Sequence, residues 1–178
     1  MAKVKNNKGF TLIELLVVVS IIGLISTIAV YSLNLARLKA RDAKRLADVT
    51  QIQKALDLYY DSKGVFPPYN GDSADDGCSG WDSGYKDSAD VFIPGLVTEN
   101  IMAKVPGDPV FSGCGAYVYY RYAAGSSGCP VSSGAFYILG IKNMESVAGA
   151  YPTSPGWACL PTRNWGSEFD WVTGRFEK

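Results

Sequence analysis

Glu14 is the one charged side chain between Lys8 and Arg37, and the run that follows it, Leu15 to Leu33, is uncharged. An ionised carboxylate in a membrane-grade segment costs about 2.5–3.5 kcal/mol at the helix centre and less near an interface, so such a residue marks a functional site whose partner is a positive group. A plain anchor would carry Leu or Val there. Just upstream, Lys8-Gly9-Phe10 joins a short basic leader (Lys3, Lys5, Lys8) to the run. Gly9 has no side chain, so its backbone fits closely into a protease site. Cutting between Gly9 and Phe10 creates the positive group that Glu14 lacks, a new α-amino group.

Other chemistry is sparse. The chain has no histidine, which excludes His-based triads and His-ligated zinc. No nucleophile elbow, phosphate loop or dinucleotide fingerprint occurs, and Gly125-Ser126-Ser127-Gly128 is turn material. Nothing singles out a pair of carboxylates for hydrolytic work. The acidic stretch Asp72-Ser73-Ala74-Asp75-Asp76-Gly77 lacks alternating ligand spacing, since Ala74 sits where a ligand is wanted. It reads as a solvated loop, and no metal or cofactor is expected. Tyr117, Tyr119, Tyr120 and Tyr122 could form a stacking surface for bases or sugars, but tyrosines at this spacing belong mainly to core and sheet-face packing.

Cys78, Cys114, Cys129 and Cys159 all follow the apolar run, with no Cys-x-x-Cys pair among them. An even number in an exported domain points to two disulfides. Three connectivities are possible. Cys114 and Cys129 flank the first expected strand and its turn, which favours Cys114–Cys129 and leaves Cys78–Cys159. Removing residues 1–9 takes away three lysines, leaving 14 basic against 17 acidic residues, net −3. That balance argues against a chain that binds nucleic acid unspecifically, and no specific nucleic-acid partner is expected.

The elements that position these residues can be read from periodicity. Residues 10–31 span about 33 Å as a helix, enough to cross a bilayer core, and the run is longer than the apolar part of a secretory signal. No Pro or Gly interrupts residues 24–63. After Leu33 the pattern becomes periodic: Leu46, Val49, Ile52 or Gln53, Leu56, and Tyr59 or Tyr60 form one buried face. Gly64 and then Pro67-Pro68 stop the helix. The expectation is one helix of about 54 residues, with a membrane part over 10–31 and an amphipathic part over 32–63.

The basic cluster Arg37, Lys39, Arg41, Lys44, Arg45 reads equally as a face for anionic lipid headgroups or for neighbouring subunits. A short helical piece is expected within 91–105, turn chemistry over 105–109, strands over 116–122 and 135–141, and a third within 167–176. Residues 64–178 thus form a disulfide-containing head, and the fold class is α+β, the helix lying on a small antiparallel sheet.

The junction Gly9-Phe10-Thr11-Leu12-Ile13-Glu14, followed by Leu-Leu-Val-Val-Val, resembles the class III signal of type IV pilins and type II secretion pseudopilins. The resemblance implies that a prepilin peptidase removes the leader 1–9 after Gly9 and N-methylates Phe10. It implies that Glu14 assists assembly by pairing with the amino terminus of a neighbouring subunit. The implied product is a structural filament subunit, not an enzyme. Its expected partners are copies of itself, the peptidase, the membrane and the assembly platform of a pilus or type II secretion system. It would begin as a single-pass protein of the cytoplasmic membrane with its carboxyl-terminal part outside, then enter a surface filament or a periplasmic pseudopilus. Tyr59-Tyr60, Phe66-Pro67, the turn ending at Pro109 and the Tyr-rich strand extend the likeness, more loosely, towards the major pseudopilin and small pilins. Gly23 matches a glycine usual in the family's anchor, whereas Tyr31 stands where a proline is common. The alternatives are a piston-like pseudopilin or, in another class, a membrane-tethered exported enzyme or binding module, which would need neither the Gly9–Phe10 junction nor Glu14.

Overall fold

A computed structural model describes residues 9–69, 78, 80–85 and 91–178. Leader residues 1–8 and the acidic stretch 72–77 lie outside the described residues. The chain divides into two compact units, Met1–Leu38 and Lys39–Lys178. A single helix, α1 (Leu12–Lys63), contributes to both.

In the first unit α1 is apolar and exposed throughout, from Leu12 to Leu35. It is long and apolar enough to cross a membrane by length and composition. The hydroxyls of Ser20 and Thr27 donate to the carbonyls of Leu16 and Leu24, so both polar groups are satisfied within the helix. The helix runs through Gly23 and Tyr31 without a break. With no proline at 31, every residue of that turn keeps its amide donor.

The second unit is built on residues 39–63 of α1. Val49, Ile52, Ala55, Leu56 and Tyr59 are buried at three- and four-residue steps, as the periodicity predicts. The helix ends where Gly64 enters the left-handed region, with φ +71, and its amide donates to the Tyr60 carbonyl. A short helix, α2 (Pro94–Thr98), lies within the expected stretch.

The sheet contains β1 (Asp82–Gly84), β2 (Tyr117–Tyr122), β3 (Phe136–Ile141) and β6 (Trp171–Phe176), in the order β1-β2-β3-β6, every pair antiparallel. One cluster joins Tyr117, Tyr119, Tyr137, Leu139, Ile141 and Trp171 to the buried face of α1. The fold is therefore α+β, with the long helix packed on a small antiparallel sheet.

Pattern reading missed the opposite face. Val118, Phe136, Ile138 and Val172 are buried there beneath Trp165 and Phe169. The covering segment contains a second, two-stranded sheet, β4 (Ala158–Cys159) with β5 (Arg163–Asn164). Two glycines let its rings lie directly on the strands. A Cβ on Gly140 would stand 2.8 Å from the Phe169 ring, and one on Gly174 would stand 2.7 Å from Trp157. All six residues of β3 are consequently buried.

Candidate assembly site

Gly9 and Phe10 precede α1, and Phe10 is 85% exposed. Thr11 is the residue before the helix, its carbonyl accepting the first intrahelical bond from Leu15. Its hydroxyl accepts from the Glu14 amide at 3.3 Å. Glu14 Oε2 in turn accepts from the Thr11 amide at 2.8 Å and from the Thr11 hydroxyl at 2.7 Å. This is a reciprocal capping box, Thr-x-x-Glu, and it satisfies amide groups that the first turn leaves without partners. The sequence carries that signature in the three-residue spacing of Thr11 and Glu14, beside the more conspicuous charge of the carboxylate. Within the described residues Glu14 bonds only to Thr11, so its second oxygen is available to another group. The apolar side chains around it, Leu12, Ile13, Leu15 and Leu16, are all exposed.

The basic cluster divides in the structure. Arg45 is fully buried and Arg41 half-buried. Arg45 Nε donates to Asp108 at 2.7 Å, and Nη1 reaches Asp42 and Glu145, each at 2.7 Å. Arg41 Nε donates to both oxygens of Glu145, at 2.8 and 3.0 Å. Asp108 also accepts from the amides of Val110 and Phe111, which fixes the 106–111 turn. The Arg45 guanidinium lies 5.1 Å from the Phe111 ring centre. Carboxylates of the head itself, Glu145 and Asp108, hold these two arginines. Arg37, Lys39 and Lys44 remain exposed. Asp42, Arg45 and Asp48 extend the phase of Val49, Ile52 and Leu56 backwards along the helix, so their burial was encoded in the spacing.

Hydrogen bonds set the state of these carboxyls. The bond from Arg41, opposed by burial and reinforced by Arg45, holds Glu145 below the usual carboxylate range. For Asp42, burial pushes upward, but bonds from Ser146, the Glu145 amide and Arg45 outweigh it, so it too is lowered. Asp48 goes the other way: burial raises it, and the Tyr117 hydroxyl, donating at 3.0 Å, only partly offsets that.

The disulfides are Cys78–Cys114 and Cys129–Cys159, with Cα separations of 5.0 and 4.9 Å. They replace the expected Cys114–Cys129 and Cys78–Cys159. Cys114 precedes β2 and Cys129 follows it. Six extended residues span roughly 20 Å, several times the Cα separation that a disulfide allows. The residues after β2 would have to retrace that distance for Cys129 to meet Cys114, and each cysteine instead meets one from a more distant segment, 36 and 30 residues apart. Of the tyrosines, Tyr117 and Tyr119 are buried against α1, while Tyr120 and Tyr122 are half-buried on the opposite face, tilted against each other, with Tyr120 stacked on Tyr69 and Tyr122 on Phe136. They are packing residues, as their alternation implies.

Residues 4–30 match the family model described as the prokaryotic N-terminal methylation motif. The type II secretion system core protein G of Vibrio cholerae is 36% identical over 67 residues, 38% of this chain and 46% of that protein. The chain thus spans about half the length of that relative. The fimbrial protein EcpC of Eikenella corrodens is 43% identical over 65 residues, 35% of this chain and 41% of its own length. The type IV major fimbrial protein FimA of Dichelobacter nodosus is 34% identical over 137 residues, 71% of this chain and 73% of that protein. No solved structure matches. A methylation motif, a long apolar helix on an antiparallel sheet and a fimbrial relative matched over most of its length agree, and the chain belongs to the family of type IV pilins and type II secretion pseudopilins.

Proposed function

We propose that this chain is the structural subunit of a type IV pilus-like helical filament. A prepilin peptidase removes residues 1–9, N-methylates Phe10, and leaves the subunit in the cytoplasmic membrane with its disulfide-bonded head outside. Subunits then leave the membrane by packing their apolar helices together on an assembly platform. The observation that carries this reading is the helix of the first unit: apolar and exposed from Leu12 to Leu35, with Glu14 as its one charge. In the filament the neighbour's amino group reaches Glu14 inside the apolar bundle. Both charges lose hydration there, so the pair adds little net affinity and chiefly sets the axial register. A wrong offset leaves a carboxylate unpaired, which is specificity by penalty. The chain has no catalytic role.

A second reading, a pseudopilin of type II secretion, has the likeness to core protein G behind it, but that likeness covers only 67 residues, against 137 for the fimbrial protein.

The test is Glu14→Ala. The variant inserts and is cut, yet yields few or no filaments by electron microscopy. In wild-type filaments, intact mass gives a chain beginning at Phe10 and one methyl group heavier than unmodified. Normal filament numbers from Glu14→Ala overturn the proposal, as does a mature chain that starts elsewhere.

A further inference from the structure

Carboxylates from distant parts of the chain hold three consecutive amides after β3. Met144 donates to Asp170 Oδ2 at 2.8 Å, Glu145 to Asp42 Oδ1 at 3.0 Å, and Ser146 to Asp42 Oδ2 at 2.7 Å. Further on, the Tyr151 amide donates to the Asp170 carbonyl at 2.6 Å. Asp170 therefore clips both ends of one loop. Met144 is buried in the core and Tyr151 packs against it, so both ends are anchored apolar points. The stretch between them behaves differently: Val147, Ala148, Gly149 and Ala150 are exposed and add no core contact. What holds residues 145–150 against α1 is charge: Asp42 on the amides, and Arg41 and Arg45 on the Glu145 side chain.

We propose that residues 145–150 form an acid-releasable latch, a loop hinged at Met144 and Tyr151 that closes on α1 through ionised Asp42 and Glu145 and opens as a unit while the sheet and both disulfides stay intact. The charged and titratable groups around it come from four elements. They are Arg41, Asp42, Lys44, Arg45 and Asp48 on α1; Asp108 on the turn that also holds Arg45; Tyr117 on β2, bonded to Asp48; and Asp170 before β6. Asp42 and Glu145 are both held below the ordinary carboxylate range. The open loop, solvated, titrates near ordinary values, so the closed form binds fewer protons. Closure is complete above that ordinary range, near pH 4, and is lost as pH falls through the lowered values. Opening uncovers the buried Asp42 and Arg45 on α1 and offers the loop's own amides to solvent, so one exposed surface is exchanged for another without unfolding.

Native-state hydrogen exchange on the full chain in detergent micelles tests this. At neutral pH the Glu145 and Ser146 amides are protected. On acidification their exchange, corrected for the intrinsic rate, rises about 10- to 100-fold, the size expected for losing hydrogen bonds to charged groups, while the β3 amides stay protected. Glu145→Gln reproduces the opening at neutral pH. Asp57→Asn, which breaks the exposed pair with Arg175, leaves the latch closed. The proposal fails if the Glu145 and Ser146 amides lose protection only together with β3. It fails equally if Glu145→Gln leaves them as slow as in the wild type.

Discussion

Arg45→Met removes the guanidinium at the centre of the buried charges and keeps a side chain of similar reach. Breaking a buried ion pair by deleting one partner costs about 3–5 kcal/mol, because the remaining charge stays buried without compensation. Here three carboxylates lose a partner at once: Asp42, Asp108 and Glu145. Each keeps something. Asp42 retains two loop amides, Asp108 the amides of Val110 and Phe111, and Glu145 retains Arg41. Those residual bonds place the loss at the lower end, about 3 kcal/mol. For a unit of this size that corresponds to a fall in Tm of about 10 °C. Near-UV circular dichroism of the detergent-solubilised chain is a suitable assay, because Trp81, Trp157, Trp165 and Trp171 all lie in the second unit. A companion variant separates charge from packing. Adding Asp108→Asn to Arg45→Met removes a buried carboxylate that has lost its cationic partner and should restore several degrees, a non-additive result. A fall of less than about 3 °C for Arg45→Met, or a companion less stable than the single variant, would refute the reasoning.

Three further outcomes follow from the packing. Asp48→Asn keeps an acceptor for Tyr117 and removes a buried charge whose pKa is raised. Its melting temperature should exceed the wild type at pH 7, and the gain should vanish as pH falls below about 4, where Asp48 is protonated in both states; a lower melting temperature at pH 7 counts against it. Gly140→Ala sets a Cβ 2.8 Å from the Phe169 ring, so overpacking should cost about 1–3 kcal/mol in denaturant titration, and an unchanged midpoint would contradict the packing. Non-reducing peptide mapping should recover Cys78–Cys114 and Cys129–Cys159 and no Cys114–Cys129 peptide. Removing Cys129–Cys159, which closes 30 residues, should cost about 3–4 kcal/mol.

The long helix and three of the strands could be read from the sequence because their signals are local. Apolar residues at helical steps fixed the face of Val49, Ile52 and Leu56, and alternation fixed β2 and β3. β1, with three residues, and the β4–β5 hairpin, with two in each strand, are too short for a period to show. β1 exists only through pairing with β2, distant in sequence, whereas β4 and β5 pair across a short turn. Like β1, the disulfides depend on partners distant in sequence, and their pairing is a property of three-dimensional proximity. At the candidate assembly site Glu14 stood out in the sequence as a lone charge, and the Thr-x-x-Glu spacing with Thr11 also carried the capping box that the structure shows. The basic cluster misled because sequence treats a run of charges as solvated. Asp42 and Arg45 share the phase of the buried stripe, and their acceptor Asp108 sits 63 residues from Arg45.

The covered outer face of the sheet has an evolutionary corollary. A two-layer head would show one side of its strands to the outside, so any change in surface chemistry would also touch strand pairing. Here β3 has no exposed residue. What the head presents instead includes Pro130, Val131, Ser132, Leu160 and Pro161, residues of short connections joined through Cys129–Cys159. Such connections tolerate substitution far better than strands do. The covering segment therefore uncouples the surface of the head from what holds it together, so that surface can change while the sheet beneath keeps the same sequence.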